Sequence, residues 1–138
     1  RWVGNADRGT TCNHTRCRTS DTTTLADTTL YATTPDMFSD SERQRFDALS
    51  LATRFRIFGA DCYAYGLLSA GHVELVAESN MAPHDFLALV PVVEGAGGMI
   101  TDWQGNPLDL LAGRQVLATA NPALHEQALA RLDPAAAS

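Results

Sequence analysis

Lysine is absent from the 138 residues, and all ten basic side chains are arginine. That excludes a G-x-x-x-x-G-K-[ST] phosphate loop, which depends on a lysine ammonium. Basic clustering is also scarce. Arg8, Arg16 and Arg18 group only loosely, and 16 acidic residues bring the formal net charge to −6. A nucleic-acid binder presents a basic face, so that class is set aside. No apolar run approaches the ~20 residues of a membrane span. No charged-then-apolar leader of the secretory kind is seen. Cysteine is sparse: Cys12, Cys17 and Cys62 have neither C-x-x-C nor zinc-site spacing. Cys12 and Cys17 are spaced to face each other across a hairpin, but reduced thiols in a cytoplasmic protein are the expectation.

What is present suits one globular domain. The hydrophobic fraction of 45% is enough for a real core. The acidic balance carries a condition: an acidic protein that handles an anionic phosphate needs metal ions to reverse the local field.

Residues 1–34 are rich in threonine, with turn signals at Asp7-Arg8-Gly9 and Asn13-His14, which predicts short strands or a hairpin and an extended segment at 30–33. Pro35 breaks it. Ser39 followed by Glu42 has capping-box spacing and starts a helix to Leu51, with Phe46, Leu49 and Ala52 as its apolar stripe. Residues 54–58 alternate as a half-buried strand does. A helix is predicted over 60–70 and stops at Gly71. Alternation over 72–78 predicts a strand, and 83–95 an apolar helix. Strands at 99–103 and 115–120 flank a turn at 105–107, and Pro122 opens a last helix to Arg131. Strand and helix therefore alternate from residue 54 onward, which indicates a layered α/β fold. The expected organisation is 1–34 as strands of a sheet not completed in this chain, 35–132 as the α/β domain, and 133–138 as a fraying tail.

Two segments could carry chemistry. Asp85, at the head of the 83–95 helix, is placed either to cap it through the helix dipole or to serve as a metal or phosphate-site carboxylate. Local sequence does not choose. Gly95-Ala96-Gly97-Gly98 holds three glycines in four residues, read as close helix-to-strand packing.

Together these segments carry a family resemblance. His84-Asp85-Phe86 through Glu94-Gly95-Ala96-Gly97-Gly98 resembles the C-terminal signature of the inositol monophosphatase family, in which aromatic-Asp-x-Ala-Ala-Gly is followed by a short apolar stretch and Glu-Ala-Gly-Gly. His84 stands in place of the aromatic, and Leu87-Ala88-Leu89-Val90-Pro91 in place of the small-residue run. That variant, with Gly59-Ala60-Asp61-Cys62-Tyr63-Ala64-Tyr65 and Thr33-Thr34-Pro35-Asp36-Met37-Phe38, resembles the histidinol-phosphate phosphatase branch. The similarity runs from Arg1 to about Arg131. It implies the C-terminal αβα domain of that fold, preceded by strands of an incomplete N-terminal sheet.

The resemblance also implies roles. Asp85 matches a ligand of catalytic Mg2+. Glu78 matches a carboxylate that touches the substrate's polar groups; the alternative for a strand-end glutamate is plain solvation. Gly59, Ala60 and Asp61 match a segment lining the substrate pocket, with Asp61 suited to a cationic amine; in a first helical turn Asp61 is also favourable without substrate. Thr33 and Thr34 fall near the pocket in a looser alignment. His84 is expected as a pocket wall rather than a ligand, because magnesium prefers oxygen. His14, His72 and His125 are expected on the surface.

The family's Glu-Glu pair and Asp-Pro-x-Asp-Gly-Thr motif do not occur in the sequence. One carboxylate does not hold magnesium well. The expectation is a C-terminal half, inactive alone, that completes its site with an N-terminal half on the same or a separate chain. An opening at Arg1-Trp2-Val3-Gly4 without Met favours a fragment over a natural half-protein. The expected activity is hydrolysis of histidinol phosphate, a step of histidine biosynthesis, by metal-activated water. An inositol-1-phosphate or sugar-phosphate phosphatase is the alternative, and a non-catalytic binding or assembly domain retaining the fold is an alternative of another class. Family members are commonly dimers, so a homodimer is one open arrangement. Neither nucleic acid nor membrane is an expected partner.

Overall fold

The computed structural model describes residues 1–5, 7–111, 113–133 and 135. Most of the 133–138 tail lies outside them. The described residues form two sheets. Strands β1 (Trp2–Asn5), β2 (Gly9–Cys12) and β3 (Thr15–Arg16) make an antiparallel meander, with Val3 opposite Thr11 and Cys12 opposite Thr15. Asn13 and His14 join β2 to β3 with φ of 48° and 71°, the left-handed pair that a two-residue hairpin turn needs. All three cysteines are free.

The second sheet contains β4 (Thr29–Ala32), β5 (Phe55–Phe58), β6 (Leu75–Glu78), β7 (Met99–Thr101) and β8 (Val116–Thr119) in the order β5-β4-β6-β8-β7. β4 pairs parallel with β5 and β6, while β8 runs antiparallel to β6 and β7. Residues 1–34 are thus not one unit. The meander stands as its own sheet, but Thr29–Ala32 is an interior strand of the larger one.

Period-two alternation sorts the strand residues between two helical layers. Leu30, Ala32, Leu75, Ala77 and Leu117 face α1 (Asp40–Leu51) and α5 (Pro122–Leu132), meeting Phe46, Leu49, Leu124, Ala128 and Leu132. Val76, Val116 and Ala118 face the other way, toward α2 (Cys62–Ser69), α3 (Pro83–Phe86) and α4 (Val90–Gly95), meeting Ala64, Tyr65, Leu68, Phe86 and Val93. This is the α/β/α layering expected from the sequence. The α1 capping box is present: Ser39 Oγ accepts from the Glu42 N–H, and the Glu42 carboxylate accepts from the Ser39 N–H.

Four expectations need correction. β5 is an edge strand exposed along its whole length rather than half-buried, with Phe55, Ile57 and Phe58 all open. The 72–78 strand shortens to Leu75–Glu78 and is buried on both faces, because it lies between β4 and β8 under both helical layers. The 83–95 helix divides into α3 and α4, since Pro91 has no N–H to continue the ladder and sits in the first turn of α4 instead. His125 is not at the surface. It is 3% exposed, with its ring nitrogens each 2.9 Å from the hydroxyls of Thr101 and Thr119. The glycine-run reading is met by geometry: a Cβ on Gly98 would lie 2.8 Å from the Thr119 carbonyl oxygen. The meander rests on α4, where the buried Thr10 hydroxyl donates to the Val92 carbonyl at 2.6 Å.

Candidate active site

The carboxyl ends of parallel strands, where chain segments diverge toward different helices, leave a crevice in sheets of this kind. Here β4 ends before Thr33, β6 ends at Glu78, and β5 leads through Gly59-Ala60-Asp61 into α2. α3 lies alongside. A cleft of about 450 Å³ opens between these ends, lined by Thr33, Asp61, Glu78 and Asp85, with Cys62 and His84 beside them and Met37, Met81 and Leu89 as apolar walls. Among the described residues no arginine lines it.

Glu78 is 2% exposed, so a merely solvated strand end is ruled out. Its Oε1 accepts from the Thr33 N–H at 3.0 Å and from the Thr33 hydroxyl. Its Oε2 accepts from the Tyr65 hydroxyl at 2.7 Å. Burial of an acceptor this polar is tolerated because each oxygen is matched. Tyr65 is fully buried on α2. Desolvation first, then the Glu78 charge and hydrogen bond, then the Asp85 charge, push its phenol well above the ordinary tyrosine range, which keeps it a neutral donor.

Asp61 departs from its expected place in the first helical turn. It precedes α2 as the N-cap residue, with φ 43° and ψ −134°, and its side chain makes no capping bond. Gly59 (φ 108°) and Ala60 (φ 76°) come before it, so three successive residues have positive φ. Only the glycine adopts this freely; each of the other two carries on the order of 1–2 kcal/mol of strain. The turn is held because the Gly59 N–H donates to the carbonyls of both Ala32 and Thr33 at 3.0 Å. It leaves Asp61 exposed on the cleft lining instead of folded back over the helix end. Gly59 and Ala60 themselves shape the backbone and do not line the cleft. Thr34 does not line it either: its hydroxyl accepts from the Asp36 N–H at 3.3 Å and caps the 3-10 turn Pro35–Met37.

Asp85 makes the cap and keeps one oxygen off it. Oδ2 accepts from the Ala82 N–H at 2.8 Å, which is the cap. Oδ1 lies 3.5 Å from Nε2 of an 84% exposed His84, and the Asp85 side chain is 45% exposed. Its outward oxygen is hard and accessible, which fits one ligand position of a magnesium ion. Among the described residues no group of three or more His, Cys, Asp or Glu side chains converges to hold a metal. The residues present therefore fit one arm of such a site and not a whole one. Sequence reasoning missed Tyr65, Cys62 and the methionine walls. Two tyrosines in the otherwise largely apolar α2, Tyr63 and Tyr65, were the available signal for the first.

The model of the inositol monophosphatase family matches residues 1–136. The chloroplastic bifunctional phosphatase IMPL2 of Arabidopsis thaliana is 39% identical over 140 residues, covering 96% of this chain and 40% of that protein. A histidinol-phosphatase of Chlorobaculum parvum is 40% identical over 45 residues, covering 33% of this chain and 17% of that protein. The solved structure of an inositol monophosphatase from Zymomonas mobilis superposes with a TM-score of 0.93 at 41% identity, covering 96% of this chain and 52% of that one. The chain thus spans about half the length, or less, of these relatives. No helix of the described residues is long and apolar enough to cross a membrane.

Proposed function

The chain belongs to the inositol monophosphatase family, and from that premise we propose that it is the substrate-side, C-terminal part of a magnesium-dependent phosphomonoesterase acting on histidinol phosphate. One observation carries the substrate choice. Among the described residues the cleft gathers three carboxylates, Asp61, Glu78 and Asp85, and no arginine. A phosphate anion is repelled by such a lining unless cations accompany it. A substrate whose alcohol portion bears an ammonium group suits Asp61 and Glu78, and leaves the exposed Asp85 to hold a cation beside the phosphate.

In this reading Asp85 supplies one magnesium ligand, the ion when bound activates water and screens phosphate charge, and the remaining ligands come from the N-terminal part of the protein. Thr33 and Glu78 bind the alcohol portion, Asp61 neutralises its amine, and the Gly59-Ala60 turn holds Asp61 in place. The test uses the full-length enzyme. kcat/KM should be higher for histidinol phosphate than for inositol 1-phosphate, and Asp61→Asn should lower the first by about tenfold to a hundredfold, the worth of a charged hydrogen bond, while sparing the second.

An inositol-phosphate phosphatase is the competing reading. It is favoured by the 41% identity with the Zymomonas mobilis enzyme, and carboxylates also accept from sugar hydroxyls. Clear preference of the native enzyme for inositol 1-phosphate would decide for it.

A further inference from the structure

Glu78 has few acceptor positions left. A carboxylate offers about four lone-pair sites. The Thr33 N–H and hydroxyl take both positions on Oε1, and the Tyr65 hydroxyl takes one on Oε2. One position on Oε2 remains for anything in the cleft. Any ligand donor that reaches Glu78 therefore shares that oxygen with Tyr65.

We propose that Tyr65 is a positioning residue: its buried hydroxyl fixes the rotation of the Glu78 carboxylate so that a single directed acceptor is offered to the alcohol portion of the substrate. The inference rests on the phosphatase reading above. Tyr65 does not line the cleft, and acts through Glu78. Its ring cannot move aside easily, because it is fully buried among Leu68, Val76, Phe86 and Val93. Its neutrality makes it a donor at any working pH. Without it, Oε2 would lose its one partner among the described residues, and among them Glu78 would be held from the Thr33 side alone.

The test is Tyr65→Phe in the full-length enzyme, assayed on the preferred phosphate ester and on p-nitrophenyl phosphate, whose leaving group has no hydrogen-bond donor for Glu78. KM for the preferred ester should rise about tenfold, the worth of one such hydrogen bond, with kcat held within about twofold. The aryl ester should be unaffected. Glu78→Gln should raise KM for the preferred ester by at least as much, and adding Tyr65→Phe to it should cause no further rise. Equal losses on both esters, or none on either, overturn the proposal while leaving the phosphatase reading intact. A native enzyme that hydrolyses neither ester overturns the phosphatase reading itself and the role of Tyr65 with it. Should Tyr65→Phe fail to fold, 3-fluorotyrosine at position 65 keeps ring and donor. Its fluorine resonance should move when the free alcohol of the preferred ester is added at a concentration that calorimetry shows to saturate the site, and a resonance that then stays still refutes the shared oxygen.

Discussion

Glu42 fastens the first turn of α1 to the end of the strand that carries Glu78, and its removal can be worked through in numbers. Oε2 accepts from the Ser39 N–H at 2.9 Å and the Ser39 hydroxyl at 2.7 Å. Oε1 accepts from the Ser79 hydroxyl at 2.5 Å and the Gln115 amide at 2.8 Å. Burial alone would raise its pKa, but the hydrogen bonds from Ser79, Gln115 and Ser39 outweigh that and lower it from 4.5 to about 2. A drop of that size corresponds to roughly 3 kcal/mol at full value. Solvent contact at this half-buried position reduces it to about 2 kcal/mol. In Glu42→Gln one oxygen becomes an amide nitrogen that faces two donors, so a similar loss is expected from the contacts alone. The thermal midpoint should fall by about 6–8 °C. The sign of the pH dependence follows from the depressed pKa. The stabilisation is complete above the unfolded value of 4.5 and is lost as pH falls toward about 2. Guanidinium denaturation of native and Glu42→Gln protein, at matched ionic strength, should show the full gap at pH 7 and about half of it at pH 3. A gap of the same size at both pH values would mean that the ionised carboxylate is not what holds α1 to Ser79.

His125 is buried and its pKa is lowered to about 4 from 6.5 by desolvation. It stays neutral when folded and gains a proton on unfolding, so stability should decline as pH falls from 6.5 toward 4, by up to about 3 kcal/mol; His125→Gln should flatten that part of a denaturation-versus-pH curve. Gly98→Ala should destabilise by about 1–3 kcal/mol through overpacking against the Thr119 carbonyl, read from the denaturation midpoint. Asp85→Asn in the full-length enzyme should lower magnesium-dependent kcat/KM by about a hundredfold or more and shift the magnesium titration to higher concentration, with little change in thermal midpoint.

Layering was legible because it is local. The Ser39/Glu42 spacing specifies the start of α1, and Pro122 the start of α5, without reference to distant parts of the chain. Burial was less legible, because it depends on which strands become neighbours. Phe55, Arg56 and Ile57 alternate in sequence, yet β5 falls at the edge and exposes all of them, whereas Leu75–Glu78 falls in the middle and exposes none. His125 looked like a surface histidine for the same reason: its two hydroxyl partners come from β7 and β8, 24 and 6 residues away. Within the site, family resemblance located Thr33, Asp61, Glu78 and Asp85, and the structure brings all four to one cleft. It could not separate Thr33 from Thr34, which differ only in that β4 turns one toward Glu78 and the 3-10 turn takes up the other. Nor could it show Tyr65, whose proposed role depends on its hydroxyl on α2 reaching Glu78 at the end of β6.

The charge arrangement also orients the substrate in the proposed reaction. At about 7 Å and an effective dielectric of 20, each carboxylate repels each unit of phosphate charge by about 2 kcal/mol. In the proposed reading the phosphate sits beside Asp85, whose Oδ2 is tied to the Ala82 N–H, and the alcohol portion beside the exposed Asp61 and the buried Glu78. The two halves of the substrate should then respond differently to metal. Calorimetric titration of the full-length enzyme should detect histidinol binding with and without magnesium, because its amine meets Asp61 directly. Inorganic phosphate should bind only when magnesium is present. Asp61→Asn should abolish the metal-independent histidinol signal and leave the phosphate signal in place. Phosphate binding of equal affinity after chelation would contradict the orientation, because among the described residues this cleft presents three carboxylates and no arginine to the anion.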